Sequence, residues 1–208
     1  ESQGALVNAS VSQRNFLGTG THNSLTINNS DVSTVYDFSY TNPYYTKNGV
    51  SRSFNGFYRS TDAGEAYIAS YITDSWGGGV SYSFPQGETS SLRLGLDYQQ
   101  TLLKATSNSP DEIELFLDEY GDRYGNTLVT TGWSYDSRNK GVFPTDGAKL
   151  QTSLKTALPG SELEYFKASF RPRYWVPLFD DSTLSLDLEV NYGDGYGTTE
   201  DLPIFENY

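Results

Sequence analysis

Ser90-Ser91-Leu92-Arg93-Leu94-Gly95-Leu96-Asp97-Tyr98-Gln99-Gln100-Thr101-Leu102-Leu103 is the stretch that decides the fold. Leu92, Leu94, Leu96 and Tyr98 alternate with Arg93, Gly95 and Asp97, and a period of two sends the two sets to opposite faces of a strand. The same rhythm recurs on both sides of it. Val7, Ala9 and Val11 alternate with polar residues, as do Tyr36, Phe38 and Tyr40, and Leu184, Leu186, Leu188 and Val190. With weaker candidates the pattern predicts about ten strands, near residues 4–15, 20–29, 33–42, 50–60, 71–85, 90–103, 125–136, 148–158, 163–176 and 183–193. Strands of soluble proteins centre on roughly five or six residues. Most of these reach about ten, the length a tilted membrane-crossing strand needs.

The connections differ by side. Compact turns are expected at Leu17-Gly18-Thr19-Gly20, at Pro85-Gln86-Gly87-Glu88 and at Phe179-Asp180-Asp181-Ser182, with Pro and Asn/Asp-Gly turn chemistry in 42–49 and 137–147. The longer links, 61–70 and 104–123, fall at the opposite end. The second carries the one helix signal: Ser109 as N-cap, Pro110 at the first helical position, acidic Asp111 and Glu112, then an apolar stripe of Ile113, Phe116, Leu117 and Tyr120 before Gly121. Short turns on one side and long loops on the other is the plan of an outer-membrane barrel. A soluble antiparallel sandwich would show the same alternation. Strand length, loop asymmetry and the aromatics near strand ends (Phe16, Tyr44, Tyr45, Phe84, Phe143, Tyr174, Trp175) favour lipid.

Composition narrows the chemistry. The 208 residues hold 14 basic and 26 acidic side chains, a net charge of −12, and nucleic acid is not an expected partner of so acidic a chain. There is no cysteine, which removes disulfides, thiolate metal sites and a Cys nucleophile, and the single histidine, His22, removes a multi-His metal site. No apolar run is long enough for a transmembrane helix, and a mean hydropathy of −0.54 suits a barrel with a polar lumen and wet loops. Gly193-Asp194-Gly195-Tyr196-Gly197 lacks the Lys and Ser/Thr of a phosphate loop and reads as a flexible strand exit. Asp194, Glu200 and Asp201 do not follow a calcium-loop spacing, and the helix acids read as a solvated face. No G-x-S-x-G elbow is present. The expectation is no enzyme, no catalytic residue, no metal and no cofactor.

One register test follows from the turn at Asp180. A regular hairpin places Arg171 opposite Glu189 and Arg173 opposite Asp187, and both pairs are expected on the lumen face.

Several segments together resemble the C-terminal barrel of the bacterial surface antigen family. Gly141-Val142-Phe143-Pro144-Thr145-Asp146-Gly147 looks like that family's G-x-F-P-T-x-G turn, followed by Pro159-Gly160-Ser161 and Glu164-Tyr165-Phe166-Lys167. Asn15-Phe16-Leu17-Gly18-Thr19-Gly20, Thr41-Asn42-Pro43-Tyr44-Tyr45, Tyr192-Gly193-Asp194-Gly195, Leu202-Pro203 and Phe205-Glu206-Asn207-Tyr208 add to it in order along nearly the whole chain. The resemblance implies an all-β, antiparallel up-and-down meander that is part of a sixteen-stranded transmembrane barrel, with these strands standing as its second to eleventh. Residues 1–208 are then expected to be a partial barrel, without the family's periplasmic POTRA domains and without the R-G-F motif of its long sixth loop. It implies a place in the bacterial cell outer membrane and a role in folding and inserting barrel proteins there, through exposed strand edges and a thinned membrane rather than through nucleotide. The implied partners are membrane lipid, unfolded outer-membrane proteins and other subunits of the assembly machine. Within the signature turn, Gly141, Phe143, Pro144, Thr145, Asp146 and Gly147 are expected to act structurally, as a rigid turn with Gly147 at positive φ. A pore or passive channel, and a soluble β-sandwich binding module, are the alternative functions.

Overall fold

The computed structural model describes residues 6–30, 32–62, 71–106, 109–179 and 181–206. They form one antiparallel sheet in sequence order: β1 (Val7–Arg14), β2 (His22–Asn29), β3 (Ser33–Asn42), β4 (Ser51–Asp62), β5 (Tyr71–Gln86), β6 (Ser90–Ala105), β7 (Arg123–Asp136), β8 (Gly147–Ala157), β9 (Tyr165–Phe179), β10 (Ser182–Asp187) and β11 (Val190–Gly195). The last two are one strand in one register, since Asp187 faces Arg173 and Val190 faces Phe170. The break between them has a simple cause. Leu188 N–H donates to the carbonyl of Pro172 at 3.1 Å, and Pro172 has no N–H to return. The expected turn at 179–182 includes Asp180, which lies outside the described residues, as does most of the 61–70 link.

The helix α1 (Asp111–Tyr120) lies between β6 and β7. Its boundary corrects the sequence reading by one residue. Pro110 occupies the N-cap position with extended backbone (φ −62°, ψ 155°), so Asp111 is the first helical residue. Ser109 does not cap; its Oγ accepts from Thr106 N–H at 2.8 Å. Asp111, Glu112 and Glu114 in the first turn suit the positive end of the helix dipole, and Gly121 ends the helix by donating to Leu117 O at 2.9 Å.

Register assigns the faces. Leu92, Leu94, Leu96 and Tyr98 of β6 share a face with Phe84, Tyr82, Val80 and Gly78 of β5. That face continues through Tyr58, Phe54, Tyr36 and Phe38 on one side, and through Phe170, Tyr174, Leu184 and Leu186 on the other. Its large apolar side chains are exposed, and the rings pair across strands, Tyr36 with Tyr58 and Trp76 with Tyr98 at centroid distances of 6.0 Å each. The opposite face carries Ser, Thr, Asn, Gln, Arg and Lys along mid-sheet. Among the described residues all strands lie in this one sheet, and no second sheet packs on the apolar face as it would in a sandwich. Trp175 departs from the aromatic belt expected at strand ends. Its odd position in β9 places it with Arg171 and Arg173 on the polar face.

The buried core sits on that polar side, at the loop end. Leu103, Tyr124, Leu128, Ala157, Leu163 and Tyr165 cluster there, with Phe116, Leu117 and Tyr120 of α1 and Leu202, Ile204 and Phe205 packed against them. The fold is inverted relative to a soluble protein: apolar outside, and filled at one mouth within.

Candidate functional site

The mouth filling is built from α1 and the segment after β11. Gly193, Gly195 and Gly197, which the sequence reading took as a flexible exit, are glycines because the chain folds back tightly here. A Cβ on Gly195 would lie 2.5 Å from Thr199 O and 2.7 Å from Asp201 O, a Cβ on Gly193 would meet Leu202, and Gly197 takes φ +64°. The returning chain is fastened to the wall. Tyr196 N–H donates to Glu164 O at 2.8 Å, and Tyr196 OH donates to Ala157 O. The Glu164 carboxylate accepts from Gly160 N–H at 2.8 Å and Thr198 N–H at 3.0 Å, and these backbone donors hold it below its ordinary pKa.

Glu206 is the centre of the fastening. Its Oε1 lies 3.0 Å from Lys155 Nζ and accepts from Tyr165 OH at 3.0 Å; its Oε2 lies 3.3 Å from Lys167 Nζ. Lys167 Nζ also donates to the Glu206 carbonyl at 2.5 Å. Burial alone would raise the Glu206 pKa, but Lys155, Lys167 and Tyr165 outweigh it and hold the carboxyl below the ordinary range. Next to it Phe205 stacks on Tyr124 at 5.5 Å and meets Phe116 edge-on at 6.3 Å. In the sequence, Glu164-Tyr165-Phe166-Lys167 and Phe205-Glu206 carry only the family resemblance. In the fold they meet. The available signal was register: Lys155 and Lys167 are direct cross-strand partners, and two like charges so placed repel and favour an acid nearby.

Below the mouth the inner wall is a polar trough lined by Ser91, Arg93, Ser134, Gln151, Ser153 and Ser169. Arg171 Nη2 lies 2.5 Å from Glu189 Oε1, and Arg173 Nε lies 2.7 Å from Asp187 Oδ2. All four occupy the face of Gln151 and Ser169, so the two pairs stand in the polar interior. Their side chains are more than a third exposed, and water screens them. A double-mutant cycle with Arg173→Met and Asp187→Leu, read from urea midpoints, is expected to give a coupling below about 1 kcal/mol. A larger coupling would mean that the wall here is drier than its exposure indicates. A further inner contact was missed from sequence. Asn55 of β4 reaches across β5 to donate to Asp97 of β6 at 3.2 Å, over Gly79, which has no side chain to block it.

The signature turn closes the other end of β7 and β8. Asn139, outside the predicted set, braces it: Oδ1 accepts from Thr145 N–H at 3.1 Å and Asp146 N–H at 3.3 Å, and Nδ2 donates to Thr145 Oγ1 at 2.7 Å. Arg138 forks onto Asp136 at 2.7 and 2.8 Å and lies 5.6 Å from the Trp175 ring. Gly147 takes φ +110°, while Phe143 takes φ +51° with its ring 87% exposed at the tip. Gly141 has open space around it, and Pro144 stands next to Phe143 in the same tip.

Long antiparallel strands with an apolar exterior and a polar interior filled at one mouth define a wall of an outer-membrane β-barrel. The Omp85 superfamily domain matches residues 15–208, and the chain belongs to that family. It is 32% identical over 215 aligned residues to the outer membrane protein assembly factor BamA of Neisseria meningitidis serogroup B, covering 99% of this chain and 27% of that protein. It also superposes on the crystal structure of Haemophilus ducreyi BamA lacking POTRA domains 1–3, with a TM-score of 0.86 and 27% identity, over 100% of this chain and 42% of that one. The chain therefore spans well under two thirds of either relative's length. Its place is the outer membrane.

Proposed function

We propose that this chain is part of the barrel of an outer-membrane protein insertase, a non-enzymatic machine that folds and inserts other β-barrels. On this reading its strands stand as the second to eleventh of a sixteen-stranded barrel. Its short turns face the periplasm, with 104–123 outside. Its partners are lipid, unfolded outer-membrane proteins and further subunits of the assembly machine.

The observation that carries the reading is a taper in the apolar belt. On β6 the outward side chains from Leu92 to Leu102 are apolar but for Gln100. Ten residues cover about 33 Å along a strand, or about 25 Å of height at barrel tilt. On β2 the outward set is Asn23, Leu25, Ile27 and Asn29. Even between its asparagines this spans about 20 Å along the strand, or about 15 Å of height. A belt so narrow at one margin forces the bilayer to thin there, which lowers the barrier to inserting a new strand pair. The filled mouth favours this work over that of an open channel.

The test reconstitutes the full-length protein that carries this chain into phosphatidylcholine vesicles and adds a urea-unfolded outer-membrane barrel without nucleotide. Folding, read by heat-modifiable gel mobility, is expected to run faster than in empty vesicles. Widening the belt with Asn23→Leu and Asn29→Leu is expected to slow it. Ion conductance with no acceleration would establish the pore instead.

A further inference from the structure

The outward face carries one cation at the turn end, and it has no acid. Among the described strand residues, the outward-facing cations are Arg52, Lys104 and Arg123, and the last two stand at the loop end, where Lys104 pairs with Asp74 at 2.7 Å. Arg52, near the start of β4, faces Tyr82 and Asn42 across the ladders. Its guanidinium lies 4.0 Å from the Tyr45 ring centre and 5.0 Å from that of Phe54. Those rings extend into a continuous patch, Phe54 to Tyr40 at 6.2 Å, Tyr45 to Tyr82 at 5.9 Å and Tyr82 to Phe84 at 6.5 Å. No carboxylate among the described residues lies within ion-pair distance of Arg52, and its shielded Nε meets no hydrogen-bond partner.

Height places this group at a membrane surface. From Arg52 to Ser60, the first polar outward side chain beyond the apolar run of β4, there are eight residues, about 26 Å along the strand and about 20 Å in height. Arg52 thus stands at one boundary of the belt while Ser60 stands at the other. Aromatic rings collect at such a boundary, and a long cationic side chain there extends its head toward the headgroups. An unpaired, partly desolvated guanidinium is costly unless something anionic completes it. The group in reach is the lipid phosphate, which a planar fork of N–H donors fits.

We propose that Arg52, framed by Tyr45, Phe54 and Tyr82, binds the phosphate of an anionic phospholipid in the leaflet at the turn end, and so fixes the depth at which this wall sits. The proposal rests on the membrane placement and not on the insertase reading. It is tested on the full-length protein in neutral detergent, titrated with short-chain phosphatidylglycerol, with retained lipid counted by native mass spectrometry. Arg52→Gln is expected to lower retention roughly tenfold, the loss of one charge-assisted contact. Arg52→Lys should fall between, and Lys104→Gln should match the wild type. Heat-modifiable mobility confirms that each variant is folded. Equal retention by the wild type and Arg52→Gln would overturn the proposal. Displacement of the lipid by millimolar inorganic phosphate would also overturn it, because the site would then be a free-anion site.

Discussion

Glu206→Gln is expected to release the segment 196–206 from the barrel mouth. The reason is the pair it separates. Lys155 and Lys167 are directly opposed on β8 and β9, and the Glu206 carboxylate contacts both at 3.0 and 3.3 Å while only 11% exposed. Removing the acid from such a network leaves two ammoniums facing each other. Breaking a buried pair costs roughly 3–5 kcal/mol, and the partial exposure of the lysines lowers this to about 2–4 kcal/mol. Limited proteolysis of the full-length protein should show cleavage within 196–206 that the wild type resists. Adding Lys155→Met to the variant should restore part of the protection, since it removes one of the two like charges that the Glu206 carboxylate no longer separates. The pH dependence has a definite sign. Glu206 is held below its ordinary pKa, so its contribution is complete at neutral pH and is lost as the pH falls through that lowered value. The wild type should become cleavable only on strong acidification, and Glu206→Gln should be cleavable throughout. Equal protection of both proteins at pH 7 would sink the account.

How much of this was legible beforehand follows from what each feature depends on. The strands were readable because lipid on one side and a polar lumen on the other impose a period of two, and β6 shows it over Leu92–Tyr98 without interruption. Arg171–Glu189 and Arg173–Asp187 lie across the ladder of β9 with β10 and β11, in the register a hairpin centred near residue 180 implies, although that ladder shifts between Ser182 and Thr183. The Glu206 seat was not, since it joins residues about forty and fifty positions apart through a loop that folds inward, and no local pattern encodes that return. The glycines at 193, 195 and 197 showed flexibility to a sequence reader and crowding to the fold. Arg52 lies within a predicted strand, but only the register with Tyr82 places it on the outward face.

Gly147→Ala is expected to be the most damaging small change in the signature turn. A Cβ there would lie 2.5 Å from Ser137 O, 2.8 Å from Arg138 Cα and 2.9 Å from Ser137 C, all backbone atoms that cannot rotate away, and φ +110° is itself strained for alanine. Together these cost about 2–5 kcal/mol. Gly141→Ala is the matched control. It adds the same methyl six residues earlier, where nothing lies within 4 Å and φ is unexceptional, so it should leave the urea midpoint of the folded protein unchanged. Phe143→Gly should be neutral or mildly stabilising, because it relieves φ +51° at a ring that is almost wholly exposed. The effect of Gly147→Ala should reach beyond the turn, because Gly147 is the first residue of β8 and pairs with Trp175. A one-residue slip of β8 would turn Lys149, Gln151, Ser153 and Lys155 from the lumen to the lipid. It would also withdraw Lys155 from Glu206, so the distant mouth segment should lose its protease protection in the same variant. A Gly147→Ala protein as stable as Gly141→Ala, with its mouth still protected, would show that the turn does not set the register.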